Sequence, residues 1–178
     1  PDLRQAKNTS NIEDIRIWVD KDGSKPTDDL KLILNELNLK GKKVGIEYEA
    51  YGMTGRNALR LNKSLYDYCE IEDQSELITK LRVIKSNQEI FYVKKAADLA
   101  DKALNEAWKY TKAGVSEAKI LAEMQRVIFE GGGDYPANEF IIGSGHNALL
   151  CRYQAEKRNL STTDQLSIEW AGTFKHYH

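Results

Sequence analysis

Four acidic or basic side chains lie close together between positions 165 and 178. They are Glu169, Lys175, His176 and His178, and Trp170 follows the glutamate directly. Carboxylate and imidazole groups are frequent carriers of protons in enzyme active sites. The stretch 165–178 is therefore where the sequence most strongly predicts chemistry.

The composition narrows the class of protein. The chain has 26 basic and 27 acidic residues, and this balance argues against a nucleic-acid partner. No apolar run approaches the length of a membrane span. Cys69 and Cys151 are far apart and fit no zinc pattern, so free thiols in a reducing cytoplasm are expected. We therefore predict a cytoplasmic protein with neither a nucleic-acid nor a membrane partner.

The first part of the chain has the pattern of an α/β domain. Apolar residues at 15–19 and 43–48 predict two strands, with a helix from Pro26 between them. This order predicts a parallel pair joined by a crossover helix. A further helix is predicted at 54–66 and a strand at 67–71, while residues 1–10 are expected to fray.

Helices dominate the next part, and short strands follow. We predict helices at 75–84 and 88–110, and another beginning after Ser116 as its N-cap. The three glycines at 131–133 follow that helix, so they are read as its end rather than as a phosphate-binding loop. Strands are predicted at 140–145 and 166–170, with a hairpin partner starting at 173–177.

Several motifs then occur in a recognisable order. They are residues 82–90 (RVIKSNQEI), 114–117 (GVSE), 142–148 (IGSGHNA) and 164–172 (DQLSIEWAG). Together they resemble the creatinase and Xaa-Pro dipeptidase superfamily, the M24 or pita-bread enzymes. The resemblance implies a mixed fold: a partial N-terminal α/β domain at 1–75 and the first half of a pita-bread catalytic domain at 76–178. It also implies homodimers, and a fragment that is inactive alone.

Two positions depart from the family's usual metal site. The resemblance implies a metal-binding aspartate where Glu169 stands, a second one beyond His178, and a histidine where Arg152 stands. A glutamate is longer than an aspartate, and an arginine is a permanent cation. With these two departures, the chain is similar to the metal-independent branch of the superfamily, which includes creatinase and the ectoine hydrolases. On this basis no cofactor is expected.

The resemblance assigns roles to the candidate residues. Glu169, partly shielded from water, acts as general base or nucleophile, and His176 or His178 moves a proton. Arg152 binds the substrate carboxylate, and His146 and Trp170 are further substrate contacts. Simpler alternatives remain: Glu169 pairs with Lys175 across a hairpin, and the other residues are surface or packing residues.

Three functions are consistent with the sequence. The first is metal-independent hydrolysis of a C–N bond in a small zwitterionic substrate, as in ectoine hydrolases and creatinase. The second is a dipeptidase or aminopeptidase that cleaves Xaa-Pro peptides with a divalent metal pair. The third is a non-catalytic fragment retained for oligomerisation.

Overall fold

A computed structural model describes residues 2–150, residue 152 and residues 158–178. The chain divides into two compact units, Pro1–Val83 and Ile84–His178. The boundary between the units lies after Val83, whereas the predicted boundary between the domains lies after residue 75. The predicted domains at 1–75 and 76–178 stay a prediction. Among the described residues, no helix is long and apolar enough to cross a membrane. Cys69 is a free, buried thiol, whereas Cys151 lies outside the described residues.

The first unit pairs two parallel strands with flanking helices. In chain order its elements are α1 (Asp2–Thr9), α2 (Pro26–Glu36), β1 (Lys43–Ile46), α3 (Gly55–Leu65), β2 (Glu70–Asp73) and α4 (Leu77–Val83). β1 and β2 pair in parallel over their full lengths. Parallel neighbours need a crossover connection, and α3 supplies it. Leu34, Leu65, Tyr68 and Cys69 form the buried core of this unit.

Two local predictions for this unit are wrong. Residues 15–19 are irregular rather than a strand, and Ile17 is 71% exposed. A strand needs a neighbour for its backbone N–H and C=O groups, so apolar residues alone do not create one. The predicted parallel pair therefore forms between 43–46 and 70–73, across α3 rather than α2. Residues 2–9 form α1 instead of fraying.

The second unit packs two long helices against an antiparallel pair of strands. Its elements are α5 (Asn87–Tyr110), α6 (Glu117–Glu130), β3 (Ile141–Ser144), a 3₁₀ helix (Gly145–Leu149) and β4 (Leu166–Glu169). β3 and β4 are antiparallel. The buried core consists of Leu99, Ala103, Ala107, Ile120, Met124, Ile128, Phe140, Ile142 and Leu160. The helices predicted at 88–110 and after Ser116, and the strands predicted at 140–145 and 166–170, are confirmed within a few residues.

Local capping explains where α5 and α6 begin and end. Ser86 and Glu89 form a reciprocal capping box at the start of α5, which satisfies backbone donors that the helix leaves unpaired. The Ser116 hydroxyl accepts a hydrogen bond from the Lys119 N–H at 3.2 Å. α6 ends at the three glycines, and the Gly133 N–H donates back to the carbonyl of Ile128 at 2.8 Å. The interpretation of these glycines as a helix end is confirmed.

Candidate active site

The residues after β4 are held directly against α5. The Trp170 indole N–H donates to the carbonyl oxygen of Ala100 at 3.0 Å. Gly172 is buried, and a Cβ atom there would lie 2.0 Å from the Ala96 oxygen and 2.4 Å from the Ala100 nitrogen. A residue without a side chain allows two backbones to approach this closely. The small residues after Trp170 are therefore a contact point with α5.

A tight turn follows, where the sequence predicted a strand. Phe174 and Tyr177 exchange two backbone hydrogen bonds, of 2.9 and 3.1 Å. Lys175 and His176 occupy the positions between them with φ angles of +51° and +63°. Two left-handed residues make the type of turn that reverses a chain in two residues. His176 is thus an exposed turn residue, and its N–H donates to Asp134 Oδ2 at 3.0 Å.

The turn is attached to the beginning of α5. The Tyr177 hydroxyl donates to Glu89 Oε1 at 2.8 Å, and the Tyr92 ring lies 5.7 Å from the Tyr177 ring. Hydrogen bonds from the backbone N–H and side chain of Ser86, and then from Tyr177, lower the pKa of Glu89 to about 2. The capping box of α5 therefore also anchors the stretch that carries the candidate site residues.

Three of the predicted site residues line one hollow of about 280 Å³. They are Glu169, Trp170 and His178, and the other lining residues are Ala137, Asn138, Glu139 and Ala171. His178 Nε2 accepts a hydrogen bond from the Ala137 N–H at 3.0 Å. This bond fixes the imidazole at the hollow with its proton on Nδ1, because a ring nitrogen that accepts cannot also carry a proton.

Glu169 is exposed, whereas the sequence predicted partial shielding by its neighbours. Successive side chains of a strand point to opposite faces. Ile168 and Trp170 pack against the core, and Glu169 therefore faces the other side. The described ion pairs and hydrogen bonds include none between Glu169 and Lys175, the simpler alternative that the sequence left open.

His146 and Arg152 are not among the described residues that line the hollow. In the antiparallel pair, Ile141 lies opposite Glu169 and Ser144 opposite Leu166. His146 follows Ser144, so it leaves the sheet at the end away from Glu169, about 10 Å along the strand. Arg152 is exposed in a turn with a φ angle of +55°. Their predicted role in substrate binding stays a prediction.

Sequence reasoning missed Glu139 and Asp134. Glu139 precedes β3 and lines the hollow, and Asp134 accepts the N–H of His176. A signal was available for Glu139, since it lies two residues before Ile141, the residue that pairs with Glu169. Recognising that signal required the strand pairing, which the sequence pattern did not supply.

The described residues do not form a metal centre. They contain no group of three or more His, Cys, Asp or Glu side chains placed to hold a metal ion. Glu139, Glu169 and His178 line one hollow without forming such a group. The described part of the chain thus fits at most a portion of a metal site.

Comparisons with known proteins agree with the fold. The structure of an X-Pro aminopeptidase from Thermotoga maritima superposes with a TM-score of 0.79 at 22% identity, and it covers 96% of this chain and 45% of that one. This likeness confirms the predicted mixed α/β fold.

Sequence relatives point to the same superfamily. A Xaa-Pro dipeptidase from Pyrococcus horikoshii is 28% identical over 77% of this chain. An ectoine hydrolase from Halomonas elongata is 26% identical over 76%. The matched regions span 38% and 36% of those proteins, so the chain covers well under half of their length. The sequence model of metallopeptidase family M24 matches residues 92–178, so this part of the chain is similar to that family.

Proposed function

We propose that the full-length protein is a hydrolase that cleaves a C–N bond in a small zwitterionic substrate, with Glu169 as the reacting carboxylate. The observation that carries this proposal is the composition of the hollow. Its described lining includes two carboxylates, an imidazole and an indole, and it includes neither lysine nor arginine. The Glu169 carboxylate in this hollow attracts a cationic nitrogen group, because opposite charges within a few ångströms favour each other.

The same lining supports a hydrolytic step. Glu169 is exposed to the hollow, so its carboxylate can accept a proton from a water molecule there. The resulting hydroxide adds to the carbon of the C–N bond, and the nitrogen leaves with a proton. His178, held by Ala137, keeps a proton on Nδ1 and can exchange it with groups in the hollow. We assign Glu169 as general base and His178 as the candidate proton carrier.

The first candidate reaction is metal-independent opening of a small cyclic amidine or related zwitterion. Glu169 in place of the family aspartate and Arg152 in place of the family histidine favour it. The ectoine hydrolase relative at 26% identity also supports it. In this reaction Arg152 binds the substrate carboxylate through its planar guanidinium, and Glu139 and Glu169 face the cationic end.

The second candidate is a metal-dependent Xaa-Pro dipeptidase. The Pyrococcus horikoshii relative favours it, since it carries that name and matches 77% of this chain. A divalent metal would supply Lewis acidity to the peptide carbonyl. Glu169 is the residue of this chain that would be a ligand, because it stands at the position of the family aspartate.

Assays of the full-length protein separate the two candidates. Ectoine, creatine and a set of Xaa-Pro dipeptides are tested side by side, each after chelator treatment and each with added Mn²⁺ or Co²⁺. Turnover of a zwitterion that chelation leaves unchanged supports the first candidate. Dipeptide cleavage that chelation abolishes and metal restores supports the second. No hydrolysis of any of these compounds would contradict the proposed function.

A further inference from the structure

A carboxylate without access to solvent lies at the first residue of α6. Glu117 is fully buried, and its Oε1 accepts two hydrogen bonds from Ser144, one from the N–H at 2.8 Å and one from the hydroxyl at 2.6 Å. Ser144 is itself fully buried at the end of β3. A buried carboxylate is costly unless it is hydrogen-bonded, so this pair is a specific connection between α6 and β3.

The connection continues to a second ion pair. The Ser144 hydroxyl oxygen accepts a hydrogen bond from Arg158 Nη1, and the Arg158 guanidinium binds both oxygens of Asp164, at 2.6 and 3.1 Å. Arg158 and the Ser161 N–H hold the pKa of Asp164 well below its usual range. Ser144 therefore lies between an anion and a cation, donating to one and accepting from the other.

These groups enclose the turn from which the 3₁₀ helix begins. Gly145 has a φ angle of +57°, and its N–H donates to the Gln165 carbonyl at 2.7 Å. A Cβ atom at this position would lie 2.7 Å from Asp164 Oδ1 and 2.9 Å from Arg158 Nη2. The side chains of Asp164 and Arg158 therefore pack closely against the backbone of Gly145, the residue that precedes His146.

Backbone hydrogen bonds also hold Arg158 in place. The Glu117 N–H donates to the Arg158 carbonyl at 3.0 Å, and the Leu160 N–H donates to the Val115 carbonyl at 2.9 Å. Arg158 is consequently held by its backbone to the start of α6 and by its side chain to Ser144. One hydrogen-bonded cluster therefore sets the path of the chain both where it enters the 3₁₀ helix and at Arg158.

We propose that Glu117 and Arg158 are positioning residues for substrate binding, which act by fixing the 3₁₀ helix that carries His146 and leads to Arg152. This proposal rests on the proposed function, in which Arg152 binds the substrate carboxylate. Neither Glu117 nor Arg158 is required to touch the substrate. Their loss should weaken binding, while the chemical step at Glu169, near the opposite end of the strand pair, continues.

Glu117 offers an informative pair of substitutions. Its Oε2 is buried and has no hydrogen-bond partner among the described residues, so Oε1 alone serves Ser144. Glu117→Gln keeps an oxygen acceptor at that place, whereas Glu117→Ala leaves both Ser144 donors unpaired. Glu130→Ala is the matched control, since Glu130 lies at the far end of the same helix and pairs on the surface with Arg126.

The test measures kcat and KM of the full-length variants on the best substrate from the assays above. It also measures hydrogen exchange of the backbone amides at 145–150. Glu117→Ala should raise KM about tenfold or more and change kcat less than about threefold, because a hydrogen bond to a charged group is lost. The same variant should speed exchange at 145–150. Glu117→Gln should recover most of both effects, and Glu130→Ala should match the wild type.

Arg158→Lys gives a second approach if Glu117→Ala does not fold. It keeps the charge but loses the fork that spans Ser144 and Asp164, and it should raise KM and speed exchange in the same direction. Wild-type KM and wild-type exchange in the folded variants would overturn the proposal, as would a fall in kcat with KM unchanged. The exchange experiment needs no substrate, so a failure of the proposed function would be seen separately in the assays.

Discussion

The close backbone approach at Gly172 gives a quantitative prediction. A Cβ atom at this residue would lie 2.0 Å from the Ala96 oxygen, while ordinary contacts begin at 3.4 Å. The obstructing atoms belong to the backbone of α5, so no side chain can move away. Gly172→Ala must therefore push the terminal stretch off the helix by about 1 Å, and overpacking of this kind costs about 1–3 kcal/mol.

The displacement has a second cost. Trp170 donates to the Ala100 carbonyl at 3.0 Å, and a shift of about 1 Å breaks this hydrogen bond, which is worth roughly 1 kcal/mol. We expect Gly172→Ala to lower the free energy of unfolding by about 2–4 kcal/mol in total. Because Glu169 and His178 lie on either side of Gly172, kcat/KM should also fall by about a hundredfold.

The assay is urea unfolding of the full-length protein, followed by initial rates on the folded variant. Gly55→Ala is the control, since a Cβ atom at Gly55 would meet no described atom within 4 Å and its φ angle is not left-handed. It should leave stability unchanged or raise it by up to about 1 kcal/mol. A change in the free energy of unfolding of less than about 0.5 kcal/mol is typical of a surface substitution. If Gly172→Ala changes it by no more than this, the residues after β4 do not pack on α5 as closely as the structure shows.

Two further predictions concern charges near the site. Hydrogen bonds lower the pKa of Glu89 to about 2, so its stabilising effect is complete above its unfolded pKa of about 4.3 and is lost as the pH falls toward 2. Thermal unfolding should show the wild type losing more stability than Glu89→Gln over this interval. Parallel curves would contradict the lowering of the Glu89 pKa by Ser86 and Tyr177. Glu139→Gln should raise KM about three- to tenfold for substrates with a cationic nitrogen and leave neutral N-acylated analogues unaffected; Asp101→Asn on α5 is the control. Equal effects on both substrate types would refute the proposed charge selection.

The parts of the fold that depend on neighbouring residues in sequence were predictable. Ser86 with Glu89, and Ser116, mark helix starts by a local hydrogen-bond pattern. The apolar spacing of α5 and α6 predicts a buried face without any knowledge of what covers it. The glycines at 131–133 end a helix for a reason that is also local.

Features that depend on distant partners were not predictable. Residues 15–19 have the composition of a strand, but they pair with no strand among the described residues. Lys175 and His176 adopt left-handed angles that glycine or asparagine would have signalled, and the residue types gave no such signal. Glu139 enters the site because Ile141 pairs with Glu169, and that register is a property of the folded sheet.

The most direct test of the proposed function is the turnover of Glu169→Gln in the full-length protein. Glutamine has nearly the same shape as glutamate but cannot accept a proton from water. We expect kcat to fall by about a hundredfold or more, with the fold unchanged by circular dichroism. Near-normal turnover of folded Glu169→Gln would contradict the assignment of this residue as the reacting carboxylate.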